Sequence, residues 1–193
     1  MFPHLLLASA SHQRKTLLAG LGLSFAVVPS GIDEQSCSER EPRKRARVLA
    51  ELKARDIAAK NPGAWIIGCD TLVVTADGEL LEKPVDEADA RRMIGLQSGR
   101  TSVVHSGLAL IAPDGQEWSD VSTSFVGFRA MTSADIDWWI GTGMWKDRSG
   151  SFQIDGLGQL MIAKMEGDFT GVVGLPVFLL GELCREAKAP FLR

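Results

Sequence analysis

The sequence predicts an α/β fold built on a mixed sheet, and three observations carry that expectation. Through residue 75, apolar runs bounded by turn residues alternate with stretches of helical periodicity. Beyond it, two longer runs are joined only by Pro113-Asp114-Gly115, so they must lie antiparallel and the sheet is not purely parallel. The 193 residues, 45% hydrophobic and 23% charged, suit one domain over residues 1–193. A chain of that size buries about 70% of its unfolded surface.

The first expected strand covers residues 4–8. The opening MFPHLLLASAS has the apolar core and small-residue end of a signal peptide, but no basic residue precedes it and its apolar run is short. A helix over 12–20, a strand over 24–28, a helix over 42–60 and a strand over 65–75 follow. Asp77-Gly78 turns the chain back into a short strand at 79–81, and a helix from about residue 86 to 95 begins after Pro84. The antiparallel strands then span Thr101–Ile111 and Glu117–Phe128, and a helix covers 132–140. Nine of the 20 glycines lie from Gly141 onward, which marks irregular backbone with a functional purpose. A further strand over 160–165 and a closing helix over 175–187 complete the expectation.

Composition excludes several functions. Twenty-one Lys and Arg against 24 Asp and Glu leave a net charge of −3, a whole-molecule field that does not favour DNA, RNA or an anionic membrane. Arg43, Lys44, Arg45 and Arg47 read as a solvated cluster, without the interleaved aromatics of a nucleic-acid surface. No stretch approaches the length of a transmembrane helix. Cys37, Cys69 and Cys184 are scattered, which suits reduced thiols and a cytoplasmic chain.

Charges that interrupt apolar faces are the strongest functional clue, because a buried charge persists only with a partner or a task. Lys53 falls within the helical stripe Ala46, Leu49, Ala50 and Ile57, where it either snorkels to water or emerges at the edge of a cleft. Ser11 is a plausible N-cap, and Arg14 shares the inward face of Leu17 and Leu18. Ser9 lies in the same strand-to-helix turn, which serves either as a simple cap or as an anion site. Asp70 interrupts the apolar run from Trp65 to Val74; a carboxylate there is satisfied structurally, ligates a metal, or acts as a general base. Glu34 offers a second carboxylate on a loop, or only a solvated acid, and Lys83 before Pro84 is either an aimed cation or part of a turn. Together these groups suit a metal-bound polyphosphate. Phosphate-binding P-loop, dinucleotide and zinc-helix motifs are absent, as is a serine nucleophile elbow.

The segments LLLASASHQRKTLL, GIDE, LAELKA, GCDTLVV, GELLEKP, DEADARRMIGLQSGRTSVVHSGLAL, GSFQIDGLG and EGDFTGVVGLP resemble, in order and spacing, the Maf family of nucleotide pyrophosphatases. The resemblance implies a curved mixed sheet flanked by helices, in two lobes around a deep cleft, similar to inosine triphosphate pyrophosphatases. It implies hydrolysis of a nucleoside triphosphate to the monophosphate and pyrophosphate, by a homodimer. Carried over by position, Ser9 and Arg14 bind phosphate, and Glu34 is the acidic loop residue. Lys53 and Lys83 are the helical and strand-end lysines, and Asp70 accepts the proton from water. Mg²⁺ or Mn²⁺ would be held by Glu34 and Asp70.

The resemblance also bears on the base. In the dTTP and UTP branch three positions are typically Arg, Thr and Gln, and here they are Gln13, Thr71 and Asp155. Only Thr71 agrees, and Asp155 leans toward the 7-methyl-GTP branch, which carries Glu there. GCDT, ELLEKP and GLGQL favour the pyrimidine branch. The alternatives are a 7-methyl-GTP pyrophosphatase and a nucleotide-binding regulator of cell division. Asp147 and Arg148 keep the acid and base of a family loop otherwise altered at Trp145 and Lys146.

Overall fold

A computed structural model describes residues 4–191 of the chain. The elements follow in the order β1 (Leu5–Leu7), α1 (His12–Gly20), β2 (Ala26–Val27), α2 (Pro42–Lys60), β3 (Trp65–Val74) and β4 (Leu80–Leu81). After these come α3 (Glu87–Gln97), β5 (Thr101–Ile111), β6 (Glu117–Phe128), α4 (Ser133–Thr142), β7 (Ile162–Glu166), α5 (Phe169–Val173) and α6 (Val177–Glu186). The sheet runs β2-β1-β3-β5-β6-β7, with β4 on the free edge of β3. β1 pairs parallel with β2 and β3, while β3, β5, β6 and β7 pair antiparallel in succession. The sheet is mixed and flanked by helices, as expected.

Local chemistry accounts for the boundaries. Ser11 caps α1 by accepting the amide of Arg14, and Glu41 caps α2 with Pro42 at its first turn. Gly78 and Gly115 take positive φ in the two hairpin turns. Two details depart from expectation. Residues Gly156–Met161 form 3₁₀ turns, so β7 starts only at Ile162, and the short helix α5 precedes α6. The Gly-rich composition hid both, since short 3₁₀ and α turns leave no amphipathic period.

The long strands serve three cores. Trp65, Ile67 and Cys69 of β3 and Leu108 and Leu110 of β5 pack with Leu180 and Leu183 of α6. On the other face Ile66, Ala109 and Ile111 pack against Ala50, Ala54 and Ile57 of α2. Farther along the same strands, Val73 and Val104 join a separate core with Ile94, Phe128 and Trp139. At about 3.3 Å per residue, ten residues of β3 span roughly 33 Å, enough to cross both lobes. Asp70 and Thr71 fall at the crossing. Of the paired tryptophans in α4, only Trp138 is exposed; Trp139 is fully buried and donates its indole N–H to the Ser151 carbonyl. All three cysteines are free and buried. Among the described residues, no helix is long and apolar enough to cross a membrane.

α2 lies unusually close to the sheet because two glycines face it. A Cβ on Gly68 would come within 2.3 Å of the Ala50 carbonyl oxygen, and one on Gly107 within 2.1 Å of the Ala46 carbonyl oxygen. Only hydrogen side chains leave room for the backbone approach that brings Lys53 down onto β3.

Candidate active site

β1 ends at Leu7, and its last contact with β3 is the Ala8 amide donating to the Ile67 carbonyl. β3 continues to Val74, so its edge beyond Ile67 is free until β4 pairs with Val73 and Val74. Alternation sends Asp70 to the α2 face and Thr71 to the opposite face. With the edge open, both faces meet in one cleft of about 560 Å³. Ser9, Gln13, Arg14, Glu34, Lys53, Thr71 and Lys83 all line it.

On the α2 face Lys53 joins two carboxylates. Its ammonium lies 2.5 Å from Asp70 Oδ1 and 2.7 Å from Glu34 Oε1. Lys53 and Asp70 are only 7% and 4% exposed, so this is a buried ion pair with Glu34 at its solvent side. The snorkelling alternative for Lys53 is therefore excluded by its partners. Burial pushes the Glu34 carboxyl up, but the hydrogen bond from Lys53, its charge, and those of Lys83 and Arg14 outweigh this and hold it below the ordinary range. Asp70 stands behind Lys53 and is not itself part of the cleft lining, and its Oδ2 is buried without a hydrogen-bond partner.

On the opposite face Arg14 is fixed by three acceptors. Its Nε donates to the Gly174 carbonyl at 2.8 Å, one terminal nitrogen to Ser9 Oγ at 3.1 Å and the other to Thr71 Oγ1 at 3.3 Å. Ser9 Oγ also accepts the Ser11 amide, so the hydroxyl, the guanidinium and the amides opening α1 share one small region. Thr71 Oγ1 lies 3.2 Å from Ser106 Oγ, which donates to the Gly171 carbonyl. The segment from Gly171 to Gly174 thus supports both residues, an interaction without a sequence signal because backbone carbonyls supply it. Gly174 has φ +133°, open to glycine alone without strain.

Gln13 accepts a hydrogen bond from Arg148 at 2.7 Å across the cleft. Arg148 lies on the loop from Trp145 to Ser151, whose Gly150 amide donates to the Glu82 carbonyl. Asp155 does not line the cleft, although Ile154 does, and its Oδ1 is buried without a partner. Deeper in the cleft, Val126, Phe128, Phe152 and Ile154 form an apolar wall broken by Gln97 and Ser102.

One sequence expectation is overturned. Arg45 is not part of a solvated cluster: it is 5% exposed and donates to the carbonyls of Glu34, Cys37 and Glu39. The signal was present, since Arg45 stands four residues before Leu49 and eight before Lys53, on the inward stripe of α2.

Glu34 and Asp70 offer oxygen donors of the kind a divalent cation takes. Among the described residues no group of three His, Cys, Asp or Glu side chains is placed to hold a metal. Two carboxylates, Glu34 and Asp70, do converge on the Lys53 ammonium, and Asp70 Oδ2 is an unused buried acceptor. Mg²⁺ commonly takes only one or two protein carboxylates and completes its shell with water and phosphate oxygens, which matches this donor set.

A family model described as Maf-like protein matches residues 4–187. A protein of Deinococcus radiodurans named dTTP/UTP pyrophosphatase is 41% identical over 185 residues, covering 96% of this chain and 93% of that protein. One of the same name from Syntrophotalea carbinolica is 44% identical over 176 residues, covering 90% of this chain and 80% of that protein. Among solved structures, a nucleoside-triphosphatase / dITP/XTP pyrophosphatase from Mycobacterium abscessus aligns over 98% of this chain and all of its own, with 14% identity and a TM-score of 0.44.

Proposed function

This chain belongs to the Maf-like family, and from that premise we propose that it hydrolyses dTTP and UTP to the monophosphate and pyrophosphate. The observation that carries the proposal is the convergence of Glu34, Lys53 and Asp70 on one side of the cleft with Ser9 and Arg14 on the other. Support for the substrates comes from relatives named dTTP/UTP pyrophosphatase at up to 44% identity.

The polyphosphate lies between the two sets of cations. Arg14, held by Ser9, Thr71 and Gly174, presents a preorganised guanidinium at the start of α1. Lys53 and Lys83 neutralise charge as pyrophosphate departs. Asp70 is assigned as acceptor of the attacking water's proton, its Oδ1 being held by Lys53 and its Oδ2 left without a hydrogen-bond partner. Glu34 and Asp70 would hold a divalent cation, which would supply Lewis-acid polarisation of the phosphate. Thr71 marks the pyrimidine branch and lines the cleft, whereas Asp155, the residue favouring a 7-methylguanine edge, does not line it.

Pyrophosphate release is measured with Mg²⁺ and with Mn²⁺ across dTTP, UTP, CTP, GTP, 7-methyl-GTP and ITP. The expected outcome is that dTTP and UTP lead and that Asp70→Asn, still folded, loses most turnover. Near-normal turnover by Asp70→Asn removes the base assignment, and a purine in the lead removes the substrate assignment.

A further inference from the structure

Glu34 reaches Lys53 from a loop, and loops do not ordinarily hold a carboxylate to within 2.7 Å of a buried ammonium without support. The loop has little of its own. Glu34–Ser36 is a single 3₁₀ turn capped by Asp33, and Glu34, Gln35 and Ser36 are all solvent-exposed. It makes no strand pairing and contributes little apolar burial, the exception being Cys37.

What fixes it comes from α2. One terminal nitrogen of Arg45 donates to the carbonyls of Cys37 at 2.8 Å and Glu39 at 3.1 Å, and the other donates to the Glu34 carbonyl at 2.9 Å. A planar guanidinium can span three carbonyls of one turn; a lysine ammonium presents its donors from a single point. The side chain is 5% exposed, so water competes poorly with these bonds. Arg45 and Lys53 stand eight residues apart on one helix, and that helix therefore holds both ends of the contact: Lys53 directly, and the backbone of Glu34 through Arg45.

We propose that Arg45 is a positioning residue for the proposed reaction, clamping the Glu34–Glu39 backbone so that the Glu34 carboxylate is delivered to Lys53, which also holds Asp70. The assignment rests on the pyrophosphatase reading for its catalytic consequence and on geometry alone for the clamp. Arg45 touches neither substrate nor reacting atoms, and its effect passes entirely through Glu34.

The test compares wild type, Arg45→Met, Arg45→Lys, Glu34→Gln and the Arg45→Met/Glu34→Gln double variant, each assayed well below its unfolding temperature. Hydrogen exchange reads the clamp without reference to activity. Exchange at the Ser36 and Cys37 amides, bonded to the Asp33 and Glu34 carbonyls, is expected to accelerate in Arg45→Met while the amides of β3 and β5 keep wild-type protection. For activity, kcat is expected to fall by about 100-fold, the scale of a misplacement near 1 Å. The double variant is expected to lose no more than Glu34→Gln alone, because a clamp has nothing left to position once the carboxylate is gone. Arg45→Lys keeps a buried cation, and hence the fold, if the Met variant does not fold, and is expected to show the same exchange signature because it lacks the fork.

Unchanged exchange at Ser36 and Cys37 in both Arg45 variants overturns the clamp. Faster exchange with wild-type kcat, or losses that multiply in the double variant, overturns the positioning role. Wild type that releases no pyrophosphate from any nucleotide removes the functional reading and with it the catalytic consequence, and the exchange measurement still decides the clamp.

Discussion

Asp70 and Thr71 are adjacent in β3 yet serve opposite faces of the sheet, Asp70 meeting Lys53 from α2 and Thr71 meeting Arg14 from α1. Because β1 stops at Leu7, the strand edge between those faces is open, and both residues bear on one cleft, Thr71 by lining it and Asp70 through Lys53, which lines it. The carboxylate is thereby carried by β3, and Arg14 is tied to the same strand through Thr71.

Lys53→Met is expected to destabilise the fold by about 3–5 kcal/mol, because it leaves Asp70 buried without its counter-charge. Urea denaturation at neutral pH measures this. Lys53→Met/Asp70→Leu is expected to recover part of the loss, since an apolar pair carries no uncompensated charge; equal instability of the two would show that the ion pair is not the cause.

The Glu34 carboxyl is held below its ordinary pKa in the folded state, so its contribution to stability is present above the unfolded value. It is lost as pH falls through the folded value. The acid limb of the stability curve is expected to be shallower in Glu34→Gln than in wild type, with the two curves converging at the lowest pH. Parallel curves throughout would contradict the Lys53 contact.

Gly68→Ala places a methyl where the Ala50 carbonyl oxygen lies 2.3 Å away, and Gly107→Ala meets the Ala46 carbonyl oxygen at 2.1 Å. Backbone cannot rotate aside as a side chain can, so each substitution is expected to cost about 1–3 kcal/mol or more and to lift α2 from the sheet. Turnover is expected to fall with stability, because Lys53 rides on that helix. Thermal unfolding and pyrophosphate release, measured together, check the link.

Gly174→Ala forces a side chain into φ +133°, a strain of about 1–3 kcal/mol. The Gly174 carbonyl also accepts the Nε of Arg14, so relaxation of the strain displaces that cation. A raised KM for the triphosphate is expected, with a smaller change in kcat. A variant of unchanged KM would show that Ser9 and Thr71 suffice to hold Arg14.

Much of this protein was determined by the sequence alone. Periodicity and turn chemistry are local, so the order of the main strands and helices, the antiparallel β5–β6 pair and the cap at Ser11 could be read residue by residue. Burial conflicts are nearly local too, since a charge within an apolar stripe must find a partner, which is how Lys53 and Asp70 were identified. The tertiary structure alone decided which groups meet. No spacing along the chain connects Arg14 to the carbonyl of Gly174, 160 residues away, or Gln13 to Arg148. Arg45 shows where the two meet: helical period placed it inward, but the neighbouring Arg43, Lys44 and Arg47 disguised it as surface charge. Only the fold brings the carbonyls of Glu34, Cys37 and Glu39 to its guanidinium, because backbone acceptors are present at every residue and become specific only when packing selects them.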